Sequence, residues 1–96
     1  MSLEKLVAKY IGSTERVLRN METVEDSINI NVENIRKVVE YVKAYLKDAK
    51  YYRDRKKFEV SLVSVAYCEG LLDTLKLLGA VKFEWPAKKK ERKRKK

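Results

Sequence analysis

Between Phe58 and Leu78 the apolar residues leave almost no polar face. Val60, Leu62, Val63, Val65, Ala66, Tyr67, Leu71, Leu72, Leu75, Leu77 and Leu78 fall on most sides of a helical wheel. A stretch of this length without a Pro reads as a helix, and a helix apolar nearly all round needs neighbours on more than one side. The segment is therefore expected to be central, with the rest of the chain arranged to cover it. Gly79 stands where a left-handed residue ends such a helix, with Ala80 or Val81 able to pack back.

Two upstream segments carry the one-sided pattern of covering helices. Leu3, Leu6, Val7, Tyr10, Ile11, Val17, Leu18 and Met21 recur at helical spacing behind Ser2, a natural N-cap. Gly12 weakens this helix by roughly 1 kcal/mol relative to Ala. Ile35, Val38, Val39, Val42, Tyr45, Leu46, Ala49 and Tyr52 line one face of the next helix, which Asn31 can cap. Glu33 and Lys37 are spaced for an ion pair. Val81, Phe83 and Trp85 then alternate with Lys82 and Glu84, the pattern of an extended strap that Pro86 ends. The expected fold is all-α: a three-helix bundle, with helices at about 3–24, 32–55 and 58–78. A body of about 86 residues buries only roughly 60–65% of its unfolded surface, so its core is thin.

Charge divides the chain at Pro86. Of the net +9, the last ten residues hold +7, leaving a body with 15 basic and 13 acidic residues. The expected organisation is thus a helical body, residues 1–86, and a basic tail, residues 87–96. Lys88, Lys89, Lys90, Arg92, Lys93, Arg94, Lys95 and Lys96 repel one another and have no apolar surface to bury, but they can neutralise phosphates. With about seven contacts to single-stranded RNA, log K would fall with log salt at a slope of roughly −5. The alternative is a merely solubilising tail.

A second basic cluster, Lys47, Lys50, Arg53, Arg55, Lys56 and Lys57, surrounds Tyr51. It can extend a phosphate surface, with Tyr51 stacking on a base. The plainer reading, which we prefer, is a helix C-terminus furnished with cations that suit its dipole. Trp85 could also stack on a base; we expect it instead to fold back over the thin core.

No catalytic constellation emerges. The chain has no His, which removes Cys–His and Ser–His–Asp chemistry and every His-ligated metal site. The lone Cys68 reads as a small core residue and excludes an internal disulfide. Glu69 and Asp73 lie one turn apart on one face, with Lys76 beside Asp73. Two carboxylates on one helix are a weak metal or acid–base signal, and pairing with cations or a partner is the expected role. Gly70, with Ala66 and Thr74 a turn either side, lets another helix approach closely, either helix one or a second copy. No cofactor or metal is expected, and the glycines are too dispersed to cradle a phosphate.

Asp48-Ala49-Lys50-Tyr51-Tyr52, Phe58, Ala66-Tyr67-Cys68-Glu69-Gly70-Leu71-Leu72-Asp73 and Leu77-Leu78-Gly79 resemble a family of small archaeal helical proteins catalogued as a domain of unknown function. The spacing of Tyr67, Gly70, Leu72 and Asp73 is its most specific part. The match spans roughly Val32 to Val81 and departs at Lys56-Lys57, where the family tends to have Gly-Asp, and at Ser61, where it often has Ala. The basic tail is not part of it. The resemblance implies an all-α fold in an archaeal cytosol and no particular activity. A weaker similarity links Ala49, Tyr52, Phe58, Ser61 and Cys68 to one tetratricopeptide-type hairpin.

Two functions are expected from these residues, neither enzymatic. The first is RNA binding through the tail, helped by Arg53, Arg55, Lys56 and Lys57, with ribosomal RNA a candidate target. The second is a protein-interaction or self-association module using the third helix and the Gly70 stripe. The charged fraction of 39% resembles thermophile composition. A cytoplasmic setting fits the single Cys and the absence of a signal-like or membrane-spanning apolar run.

Overall fold

A computed structural model describes residues 2–86. The chain forms α1 (Leu3–Asn20), α2 (Val32–Asp54) and α3 (Phe58–Leu77), and no strand among the described residues. The all-α, three-helix architecture is the one the periodicity predicts. The tail, residues 87–96, lies outside the described residues.

Local chemistry sets the helix ends. Ser2 Oγ accepts the amide of Lys5 at 3.1 Å, and Asn31 Oδ1 accepts that of Asn34 at 2.9 Å, so both expected N-caps form. Each satisfies one of the donors a helix start leaves without an intrahelical partner. The first helix stops at Asn20, short of the expected end near residue 24. Beyond it the chain carries Thr, Val, Asp, Ser and Asn, which favour extended or turn backbone over helix. Glu33 pairs with Arg36 at 3.1 Å rather than with Lys37.

The two later helix ends share one geometry. At the end of α3, Gly79 has φ +78°; its amide meets the Lys76 carbonyl at 3.0 Å and that of Ala80 meets the Leu75 carbonyl at 2.9 Å. This is the Schellman pattern. At the end of α2 the same two bonds run from Lys56 to Arg53 and from Lys57 to Tyr52, both at 2.9 Å. Here the left-handed position is held by Lys56, with φ +63°. Lys57, the N-cap of α3, makes no side-chain capping bond.

The two helices so joined pack as an antiparallel hairpin. Cys68 Sγ approaches the Val42 carbonyl at 3.4 Å, and Ser61 Oγ donates to the Ala49 carbonyl at 2.7 Å. Seven residues forward on α2 are matched by seven back on α3, which fixes the register over two turns. Tyr45 and Tyr67 meet edge-on between those points, with centroids 4.5 Å apart. Ala49, 3% exposed, and Cys68, 5% exposed, are small enough for the backbones to come close. With Val42 and Leu75 they are the buried residues of the described chain.

The expected central position of α3 is met on one side only. α2 covers the edge holding Ser61, Cys68 and Leu75, but α1 makes no close backbone contact with either helix. Leu62, Val63 and Leu77 are 69%, 68% and 86% exposed. From Ser2 to Asn34, Leu6 alone is better than exposed.

Candidate association surface

The apolar spacing that makes α1 amphipathic places Leu3, Leu6, Val7, Tyr10 and Ile11 along one stripe. That stripe and Val63 of α3 line an open groove of about 560 Å³, with Thr14 and Glu15 at its end. The groove is almost wholly apolar, yet nothing in the described chain fills it. On α3, the same outer side continues from Leu62 and Val63 through Ala66 to Gly70, all exposed. Gly70 has open space where a Cβ would stand, and Thr74 Oγ1 donates to its carbonyl at 2.8 Å. The close-approach stripe therefore exists, but helix one does not occupy it.

The strap is fastened to the far end of α3. Val81, Phe83 and Trp85 are half-buried while Lys82 and Glu84 are exposed, which is the alternation their order predicts. Trp85 Nε1 donates to Asp73 Oδ1 at 2.7 Å. Lys76 Nζ pairs with Glu84 at 3.6 Å and lies over the Phe83 ring at 5.0 Å. Phe83 and Trp85 meet edge-on at 5.0 Å. Asp73 thus serves as an anchor for the strap, and its partner is an indole of the strap rather than the cation of a neighbouring helix or the partner contact expected. Glu69, half-buried, faces the same helix side one turn earlier.

The structure gathers Arg53, Arg55, Lys56 and Lys57 at the α2–α3 turn, all exposed. Arg55 lies over the Tyr51 ring at 4.3 Å, and Tyr51 meets Tyr52 edge-on at 5.2 Å. One face of Tyr51 is therefore taken by its own chain, and a base stacking there would have to displace the guanidinium. Arg53 pairs with Asp54 at 3.1 Å, which lowers the local positive charge. Lys88, Lys89, Lys90, Arg92, Lys93, Arg94, Lys95 and Lys96 lie outside the described residues.

Among the described residues, Cys68 is the group whose ionisation the fold shifts clearly. Burial pushes its thiol above the ordinary range; the nearby carboxylates of Asp48 and Glu69 add to this, and a backbone hydrogen bond partly opposes it. A protonated, buried thiol is inert packing material rather than a nucleophile. Among the described residues no group of three His, Cys, Asp or Glu side chains could hold a metal ion. No described helix is long and apolar enough to cross a membrane.

A family of proteins of unknown function, DUF357, matches residues 9–81. The chain belongs to the DUF357 family. The match extends beyond the expected Val32–Val81 to take in most of α1 and the connection after it. The DUF357 region thus includes the uncovered stripe from Lys9 onward, the whole hairpin and its closing turn, and stops before the strap's Trp85. No curated protein and no solved structure matches the chain.

Sequence reading missed two features of this surface. The Asp73–Trp85 bond joins residues twelve apart across a chain reversal, which no periodicity reveals. The open groove was hidden because a hydropathy pattern shows which residues need cover but not whether the same chain supplies it.

Proposed function

We propose that this DUF357 protein is a non-enzymatic helical association module. The α2–α3 hairpin is its scaffold, and the α1 stripe with the outer side of α3 is its docking surface. One observation carries the reading: from Ser2 to Asn34 only Leu6 is even half-buried, although the segment holds Leu3, Val7, Tyr10, Ile11, Val17 and Leu18. Leaving this many large apolar side chains in water is costly, at about 25 cal/mol per Å² of apolar surface. Contiguous exposed apolar patches of this kind mark interaction sites.

RNA binding is the second reading, favoured by the +7 carried by residues 87–96. The cations at the α2–α3 turn would extend that charge, and contacts would go to phosphates rather than bases. The two readings use different parts of the chain.

A photo-reactive side chain placed in vivo at Ile11, and separately at Arg55, tests them. The module reading expects protein adducts from position 11. Adducts to RNA from position 55, with none to any protein from position 11, would reject it in favour of the second reading.

A further inference from the structure

We infer that the occupant of the α1–α3 groove is the α1 helix of a second copy of this chain. The inference rests on the association reading above and names its partner. Three observations select a second copy.

The first is area. The whole chain exposes 8950 Å². A compact body of residues 2–86 should expose about 5,200 Å², and the eleven further residues could add at most about 2,000 Å² even as unfolded chain. The body therefore exposes about 1,700 Å² more than a compact chain of its size. One partner in a standard stable interface buries about 800 Å², and one partner in an obligate homodimer about 1,000–2,500 Å². The surplus sits on α1 and the connection after it, where burial is nearly nil.

The second is reciprocity. Each copy presents an uncovered helix, α1, and an uncovered helix side, Leu62 to Gly70 on α3. A two-fold axis lets each copy's α1 enter the groove between the other's α1 and α3. Both bare surfaces are then covered with no third component. Gly70, with nothing within 4 Å of its Cβ position, gives the incoming helix room to approach.

The third is charge. α1 carries four cations and two carboxylates, and α3 carries three carboxylates and one cation. The incoming helix is net positive and α3 net negative, so its contact with α3 is attractive; its contact with the other α1 sets like net charges together and rests on the apolar lining of Leu3, Leu6, Val7 and Ile11, whereas two α3 helices facing one another would repel.

Light scattering and hydrogen exchange on the full chain test this together. The expected result is a species of twice the 11.3 kDa chain mass at micromolar concentration, with α1 amides protected from exchange. The double substitution Val7→Asp, Ile11→Asp should return the mass to one chain and leave α2 and α3 helical by circular dichroism. Ile11→Leu should stay dimeric. Val63→Asp, on the opposite wall, should also give the single-chain mass, which covers the case in which the α1 variant fails to fold. A wild-type chain of single mass with freely exchanging α1 amides would overturn the second copy and leave the module reading standing. Single mass with protected α1 amides would mean that α1 closes on its own α3, and would overturn both. A dimer undisturbed by either Asp variant would place the contact elsewhere and reject the inference.

Discussion

Replacing Lys56-Lys57 with Gly-Asp should make the protein more stable, and the two halves of the change act through separate causes. Lys56 holds the left-handed position of the α2 Schellman motif at φ +63°. An L-residue there carries roughly 1–2 kcal/mol of steric strain that Gly does not. Gly in turn gives the unfolded chain more freedom, which returns about 0.4–1 kcal/mol. The net gain from Lys56→Gly is therefore about 1 kcal/mol. Lys57 is the N-cap of α3 and makes no capping bond. An Asp side chain there can accept an amide of the first turn and complement the dipole, for about another 1 kcal/mol. Together these raise the melting temperature by about 8–16 °C for a domain of this size. Thermal unfolding followed by circular dichroism at 222 nm measures it. Because the residues are adjacent, each single variant is needed beside the double one. Two controls isolate the cause. Lys56→Ala removes the charge but keeps the strained backbone, so it should shift the melting temperature little. Gly79→Ala imposes the same strain at φ +78°, with open space around its Cβ, and should cost about what Lys56→Gly gains. If Lys56→Gly lowered stability, or Gly79→Ala left it unchanged, the conformational argument would be wrong.

Other expectations follow from the hairpin and strap. Ser61→Ala removes the bond to the Ala49 carbonyl and should cost about 1 kcal/mol in urea unfolding; that carbonyl keeps its place in the α2 ladder, so a loss above about 3 kcal/mol would contradict the assignment. The Cys68 thiol is held up in the folded state, so folding retains its proton: the associated stability is complete below the ordinary thiol range and falls as pH rises through it. The wild-type minus Cys68→Ala difference in unfolding free energy should therefore decline above about pH 8.5, and a difference that grew with pH would refute the shift. Trp85 is the only Trp, so its emission reports the strap alone. Asp73→Asn should weaken the 2.7 Å bond, move that emission to longer wavelength and increase quenching by acrylamide, with helix content unchanged.

What the sequence made legible was local. Ser2, Asn31 and Gly79 each announce a helix end by their own side chain, or lack of one, and each sits where that chemistry requires. Ala49 and Cys68 are small residues on apolar faces and lie at the helix crossing. Lys56 was not legible in this way, because nothing about a lysine signals a positive φ; the motif is set by the bonds around it. Nor was the bare side of α3. Its apolar residues are the same whether cover comes from α1 of the same chain or from another molecule, and intrinsic pattern cannot choose between these. The Glu69–Asp73 pair was visible as a shared face, while the indole that claims Asp73 arrives only after the chain turns back at Gly79.

That turn also decides the direction of everything downstream. Because Trp85 is tied beside Asp73, the chain leaves Pro86 partway back along α3 rather than past its end. Asp73 stands fifteen residues from Phe58, about 22 Å along the helix axis. The described chain thus ends beside a point most of the way up α3 from the turn that holds Arg55, Lys56 and Lys57, and cutting the Asp73–Trp85 tie would release that end. A hydrogen bond between an indole and a carboxylate, remote from any cation of the turn, in this way sets the side of the hairpin on which the described chain finishes.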